Sequence, residues 1–440
     1  MSSKVKSPAA TGAAFGKGPK LRFPEFQASE GWRVTKLNSL LFEAKKRNRS
    51  LELGPADVLS VSGEHGCVNQ IEFMGRSYAG VTVKDYHVVE HGDVVYTKSP
   101  LKKNPYGIIK ENKGKRGIVS TLYAVYRPFP DSSATYLDHF FSVDYNLNAY
   151  LQPIVRKGAK NDMKVNNADV LTGDICVPTF LEQKKIADCL DSVDALIAAQ
   201  GRKVEALRAH KKGLMQQLFP QDGETQPRLR FPEFQNAGEW EFVQLGKLLK
   251  MAPDYGVSAA AIPYDAGLPQ YLRITDISED GTYLCENKVS VDLVPNSGNH
   301  LEDGDIAIAR TGASVGKSYR YRLDDGKLVF AGFLIRLRPD QRKLATAYLA
   351  QYMTTGQYWD WIGITSTRSG QPGVNSAELS SLTVPLPADD RRLREQQRIA
   401  DCLTSVDDLI ATEARKLGTL KIHKKGLMQQ LFPQVGETDA

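Results

Sequence analysis

A shift of 213 residues lays one part of this chain over another. "IADCLDSVDALI" at 186–197 returns as "IADCLTSVDDLI" at 399–410, and "HKKGLMQQLFPQDGET" at 210–225 returns as "HKKGLMQQLFPQVGET" at 423–438. A third pair, "LRFPEFQ", stands at 21–27 and 229–235 and is followed by Trp32 and Trp240. Between these blocks the two halves diverge almost completely, although "EHGDVVYTKS" (90–99) and "EDGDIAIART" (302–311) still align. Duplication of this kind constrains the fold more tightly than composition does. Near-identical surfaces face one kind of partner twice, and the unlike segments between them face unlike things.

The repeated blocks carry a helical seam. Positions 186, 190, 193, 197, 200, 204, 207, 211, 214 and 218 read Ile, Leu, Val, Ile, Gln, Val, Leu, Lys, Leu, Leu. The second copy, from Ile399 to Leu431, reads Ile, Leu, Val, Ile, Glu, Leu, Leu, Lys, Leu, Leu. Steps that alternate four and three are those of a coiled coil. The polar places, Gln200/Glu413 and Lys211/Lys424, coincide between copies, as register-fixing residues do. Proline-marked boundaries, "VPTFLEQKK" and "VPLPADDRRLREQQ", open each helix, and "LFPQ" closes it. Each rod should be roughly 50 Å long at about 1.5 Å per residue. Gly213 and Gly426 lie inside the pattern, where each costs roughly 1 kcal/mol against alanine, and so point to a loosened turn or close packing. Two such rods separated by a globular domain should pack antiparallel. They should hold the two variable domains at opposite ends, about an approximate two-fold axis.

The variable segments are rich in short β runs between Gly and Asn turns: "VLSVSG", "GVTVKDYHVV", "GDVVYT" and "GIVSTLYAVY" in one, "YLRITDIS", "GDIAIART", "KSYRYRL" and "FLIRLRP" in the other. Each ends in a helical stretch, "TYLDHFFSVDYNLNAYLQPIV" or "LATAYLAQYMTTGQYWDWI". The expected class is α+β, with a disordered tail at 1–20, globular domains at 21–178 and 221–387, and helical regions at 179–220 and 388–440. The tail rests on a Gly/Ala/Ser/Lys-rich opening with no apolar run, in which nothing resembles a signal peptide. Five cysteines without a CxxC pair fit a reducing cytoplasm, and no stretch is apolar enough to cross a membrane.

A formal charge of +6 permits a polyanionic partner, and the basic residues gather in loops. Residues 98–116, "KSPLKKNPYGIIKENKGKR", hold seven Lys/Arg and one acid. The matching loop of the second domain lies within "ARTGASVGKSYR" (309–320), and "RKGAKND" (156–162) and "TRSGQPG" (367–373) occupy similar later places. Paired basic loops on both domains suit phosphate neutralisation, with Asn and Gln beside them able to read base edges. The candidate DNA contacts are Lys98, Lys102, Lys103, Asn104, Tyr106 and Lys160 in the first domain. In the second they are Arg310, Thr311, Ser314, Lys317, Arg368 and Gln371.

"TGASVGKS" invites a nucleotide-binding reading, but a phosphate loop needs GxxxxGK[ST] between a strand and a helix. Here three residues separate the glycines, and "SYRYRL" alternates like a strand. "NPYG" (104–107) has one proline, without the glycine-rich cofactor motif of an amino-methyltransferase. No nucleophile triad or metal constellation stands out, so the chain reads as a binder and not as an enzyme.

Taken together these features resemble the specificity subunit of type I restriction-modification systems, in which two target recognition domains alternate with two repeated helical regions. The carriers are "GDIAIARTGASVGK", "FLIRLRP", "SGQPGVNSAELSSLTVPLP" followed by "REQQRIADCL", and in the first half "GDVVYTKSPLKKNPYGII" and "LTGDICVPTFLEQKKIADCL". The first half departs from the pattern, with no TGxxxGK loop and "KGAKNDMKVN" in place of "SGQPGVN". The resemblance implies a non-catalytic subunit that reads a split, asymmetric target in double-stranded DNA. It implies two methyltransferase subunits along the helices and restriction/translocase subunits beyond them. S-adenosylmethionine, ATP and Mg would then belong to those partners and no cofactor to this chain. The competing expectation is a coiled-coil adaptor whose domains bind proteins, without specific DNA binding. A circular closure is also expected, because "LFPQVGET" would run into "LRFPEFQ" at residue 21 if the ends were joined.

Overall fold

The computed structural model describes residues 18–99, 101–157, 163–293, 299–367, 371–388 and 391–433; the expected tail lies outside them up to residue 17. The chain divides into two compact units. One comprises the residues up to Gln200 with those from Lys416 onward, the other Gly201–Arg415. The fold is α+β, with each unit holding one globular domain and a share of both long helices.

In the first unit, β1 (Arg33–Lys36), β2 (Leu41–Glu43), β3 (Val94–Thr97), β4 (Ile108–Glu111) and β5 (Tyr123–Pro128) precede α1 (Ala134–Phe141), α2 (Asp144–Leu151), β6 (Asp174–Val177) and α3 (Phe180–Leu218). The main sheet is antiparallel in the order β2-β5-β3-β4, and β1 pairs separately with β6. "VVYT" is an unbroken apolar run because β3 is covered on both faces. Val94 and Tyr96 join Trp32, Tyr136 and Phe140 on one side, and Val95 joins Leu59, Val89 and Val119 on the other. The expected helical stretch breaks between α1 and α2 at Ser142–Val143. "GVTVKDYHVV" forms a strand only at His87–Val89. Val81 is fully exposed, Asn48 Nδ2 donates to Val83 O at 3.3 Å, and Thr82 Oγ1 accepts from Lys84 N. Local side-chain bonds there replace a strand ladder.

The second unit repeats this frame: β7 (Trp240–Gln244), β8 (Asp254–Tyr255), β9 (Ile306–Ala309), β10 (Ser318–Arg320), β11 (Leu334–Leu337), α4 (Thr346–Tyr352), α5 (Gly356–Thr365), β12 (Thr383–Pro387) and α6 (Arg392–Leu431). Its sheet runs β8-β11-β9-β10, role for role the order of β2-β5-β3-β4, and β7 pairs with β12 as β1 does with β6. A second four-stranded sheet, including Gln270–Leu272 and Leu328–Phe330, is added beside it.

The shared "GD" explains itself in both units. Gly92 and Gly304 turn at φ 82 and 89, which favours glycine. The following aspartate folds back, so that Asp93 Oδ2 accepts from Glu90 N at 2.8 Å and Asp305 Oδ2 from Glu302 N at 2.9 Å. Each is buried beside an arginine on the neighbouring strand, Arg127 against Asp93 at 2.8 Å and Arg336 against Asp305 at 3.6 Å.

The helices carry the seam that the periodicity predicts: all ten seam positions of each copy are buried or half-buried. α3 has 39 residues and α6 has 40, and neither is broken at its glycines. A Cβ placed on Gly213 or Gly426 meets nothing within 4 Å, so close packing among the described residues does not account for them. Within the first unit the helices run antiparallel, Ile186 lying with Leu431 in one core and Asp194 meeting Lys424 at 2.6 Å. Within the second, Leu218 shares a core with Ile399, and Lys211 meets Asp407 at 2.7 Å. These two ion pairs are the same pair under the internal repeat. The seam lysines are therefore satisfied by an aspartate of the opposite helix, and a slip of register would strand both charges.

The third repeat has an equally physical reason. Arg22 binds Glu182 through Nε and Nη2 at 2.8 and 2.7 Å, and Arg230 binds Glu395 at 2.7 and 2.8 Å. The adjacent glutamine ties helix to domain, Gln183 Oε1 accepting from Ser133 N and Gln396 Oε1 from Ala345 N. "LRFPEF" and "EQ" are thus two halves of one clasp, made once in each unit. In the first unit Leu21 N also donates to Gln430 O at 2.9 Å, as Leu229 N does to Gln217 O in the second. The segment at residue 21 therefore sits against the last turn of α6.

Candidate nucleic-acid interface

The hairpin β9–β10 and its loop form the centre of the candidate surface of the second unit. Arg310 N donates to Phe333 O at 3.0 Å, and Val374 N donates to Arg310 O at 2.9 Å. Thr311 bridges Gly373, and Gly312 N donates to Pro372 O at 3.0 Å. The loop is thereby laced to the "QPG" segment, which brings Arg310, Thr311, Ser314 and the exposed Gln371 together. Gly316 turns at φ 88, and a Cβ there would lie 3.0 Å from Ile362 of α5. Tyr358 Oη donates to Gly316 O at 2.7 Å and fixes the loop from below.

This geometry disposes of the phosphate-loop reading. The amides of Gly312, Val315, Gly316 and Lys317 all donate to backbone carbonyls, so they cannot cradle an anion. The next element is strand β10, not a helix. Lys317 does not join Arg310. Its Nζ lies 2.5 Å from Glu279, and it lines a cavity of about 470 Å³ with Arg208, Lys211, Lys212 and Trp359.

The equivalent hairpin of the first unit is β3–β4. Gly107 turns at φ 96, where a Cβ would lie 2.1 Å from Thr97 O. Asn104 points inward: it is buried, donates to Asp144 Oδ1 at 2.9 Å and accepts from Asn148 Nδ2 at 3.2 Å. Tyr106 packs against the core, and its carbonyl accepts from Tyr96 Oη at 2.8 Å. Lys102 and Lys103 are exposed, and Lys98 is half-buried, with its pKa lowered by burial. Lys160 and Arg368 lie outside the described residues.

The rest of the basic run turns to internal work. Lys110 Nζ donates to Ser142 Oγ, Lys113 pairs with Asp191 at 2.7 Å, and Arg116 pairs with Glu90 at 3.2 Å. Asp191 also meets His139 Nε2 at 2.9 Å, and this contact, with Lys113, holds its carboxyl down at about 2. His139, Asp191 and Asp194 lie close enough to hold a cation, but Lys113 and Lys424 already sit on the two carboxylates.

Two side chains at the second hairpin escaped sequence reasoning. Tyr255 lies under Arg310, with 4.7 Å from guanidinium carbon to ring centroid, and Phe333 stands exposed beside it. No motif marks Tyr255; its role appears only once β8 pairs with β11.

Residues 237–421 match the family described as the type I restriction modification DNA specificity domain. Two curated proteins of Methanocaldococcus jannaschii named as type I restriction enzyme specificity subunits, MjaX and MjaVIII, are 24% identical over 289 residues and 22% identical over 281. The alignments cover 63% and 59% of this chain and 63% and 61% of those relatives. In structure the chain resembles the type I restriction-modification S subunit of M. genitalium, at TM-score 0.59 and 12% identity, over 95% of this chain and 99% of that one. It also resembles a chain from a study of type I system assembly and conformational transition, at TM-score 0.51 and 18% identity, over 93% and 98% of the two chains. Duplicated clasps, a twice-used hairpin frame, a specificity domain matched over residues 237–421 and a shared fold make the chain similar to the specificity subunits of type I restriction-modification systems.

Proposed function

We propose that this chain selects the DNA sequence on which a type I restriction-modification assembly acts. Each globular domain reads one half of a split target, with exposed lysines on phosphates and loop side chains at base edges. The two helices set the unread gap. At 39 residues, α3 is about 58 Å long, or somewhat over one and a half turns of duplex at about 34 Å per turn. The repeated helical surfaces receive two methyltransferase subunits, and restriction/translocase subunits join through them. Chemistry belongs to those partners, with S-adenosylmethionine, ATP and Mg. No helix among the described residues is long and apolar enough to cross a membrane, and the cytoplasm, where DNA and a reducing milieu meet, is the proposed location.

The observation that carries this reading is one hairpin frame used twice, with unlike loops, on clasps and seams that are nearly alike. The test is binding of labelled duplexes by the chain with its cognate methyltransferase. The expected result is sequence-selective binding that weakens with salt and is stronger than that of the chain alone. A protein-binding adaptor would give only a shallow, sequence-independent background.

A further inference from the structure

The two hairpins share no loop sequence, but they share one physical peculiarity. β3 ends at Thr97 and β9 at Ala309, equivalent places in equivalent sheets, and the next residue in each is a half-buried cation, Lys98 or Arg310. Among the described residues neither side chain forms an ion pair or a hydrogen bond, and Arg310 Nε is a buried donor with no partner. Glu43 acts on Lys98 only at a distance. Arg22, Arg127, Arg230, Arg273 and Arg336, each buried or half-buried, show the usual arrangement in which the cation holds a carboxylate. An unpaired, partly desolvated cation is costly, and here that cost recurs at one position of two otherwise unlike loops.

Arg310 is also aimed. Its backbone is fixed by Phe333 and Val374, and its guanidinium carbon lies over the Tyr255 ring, 4.7 Å from the centroid. Tyr255 is held in turn, its Oη accepting from Ser376 N at 3.1 Å. Phosphate contact tolerates a flexible cation such as Lys102 or Lys103. A guanidinium anchored at its backbone and held over a ring suits a paired acceptor edge better than a loose phosphate contact.

We infer that the residue directly after the central strand, Lys98 in one domain and Arg310 in the other, is the base-reading residue of that domain. Each takes the O6/N7 edge of a guanine in the major groove, and Tyr255 is the positioning residue that aims Arg310. This rests on the DNA-selecting role proposed above.

The experiment selects duplexes from a randomised library with the chain–methyltransferase complex, comparing wild type with Arg310→Ala, Lys98→Ala, Tyr255→Leu and Tyr255→Phe. Arg310→Ala should abolish a guanine preference of roughly 5- to 150-fold at one position of one half-site and leave the other half-site unchanged. Lys98→Ala should do the same in the other half-site. Tyr255→Leu should relax the Arg310 position alone, and Tyr255→Phe, which keeps the ring face, should retain it. A purely structural tyrosine would lower the melting temperature and affect all positions together, which overturns its positioning role. Uniform weakening by Arg310→Ala, with a salt slope reduced by about one, makes it a phosphate contact and overturns the inference while the DNA reading stands. A wild-type complex with no sequence preference would defeat both.

Discussion

Replacing Arg230 with alanine should destabilise the second unit by about 3–5 kcal/mol, the cost of leaving a buried carboxylate without its cation. The Arg230 side chain is 7% exposed and that of Glu395 1%. Besides its two bonds to Glu395, Arg230 Nη1 donates to Ala237 O at 2.8 Å and Gly238 O at 3.0 Å, so one truncation removes the whole clasp. The equivalent change at Arg22 should cost less by about 1 kcal/mol, for two reasons. Arg22 is 16% exposed, so water can reach the vacated place. Glu182 also keeps a second donor, Trp32 Nε1 at 3.2 Å, whereas Trp240 Nε1 has no partner among the described residues. Urea unfolding followed by tryptophan fluorescence measures both. Arg230→Met combined with Glu395→Met removes both charges and should recover most of the loss. A cost below about 1 kcal/mol for Arg230→Ala, or a double variant as unstable as the single one, would refute the reasoning.

Gly213→Ala and Gly426→Ala should each stabilise the chain by about 0.5–1 kcal/mol, since the added methyl meets nothing and the helix gains propensity; a raised melting temperature checks this. Any loss of methyltransferase binding in those variants would show that the open space is used by a partner. His87 is buried with Nδ1 unpartnered among the described residues, and burial lowers its pKa to about 4. Its folded pKa lies below the ordinary value, so the stability it contributes is complete above about 6.5 and is lost as pH falls toward 4. Between about pH 7.5 and pH 5 the first unit should lose about 2 kcal/mol, and His87→Gln should flatten that slope in urea titrations at the two pH values.

The helices were legible in the sequence because a four-three apolar step is a local signal that survives without tertiary information. The partner of each seam lysine was not, since Asp407 and Asp194 are ordinary helix aspartates until the second helix is laid alongside. The same divide separates the candidate contacts. Arg310, Thr311, Ser314 and Gln371 are brought together, as adjacency in matched loops suggested. Asn104 and Tyr106, equally attractive as polar residues of a basic loop, turn inward to hold α2 and the core. Charge density misled most in the run 98–116, where Lys110, Lys113 and Arg116 bind inside their own unit. Which cation faces outward is decided by its neighbours in space.

The most direct test of one ruler carrying two unlike readers is the sequence around every methylated adenine in cells that carry this chain with its proposed methyltransferase partner. The account predicts two short specified blocks divided by an unspecified gap of a single length at every site. One uninterrupted block, or a gap that varies from site to site, would contradict it.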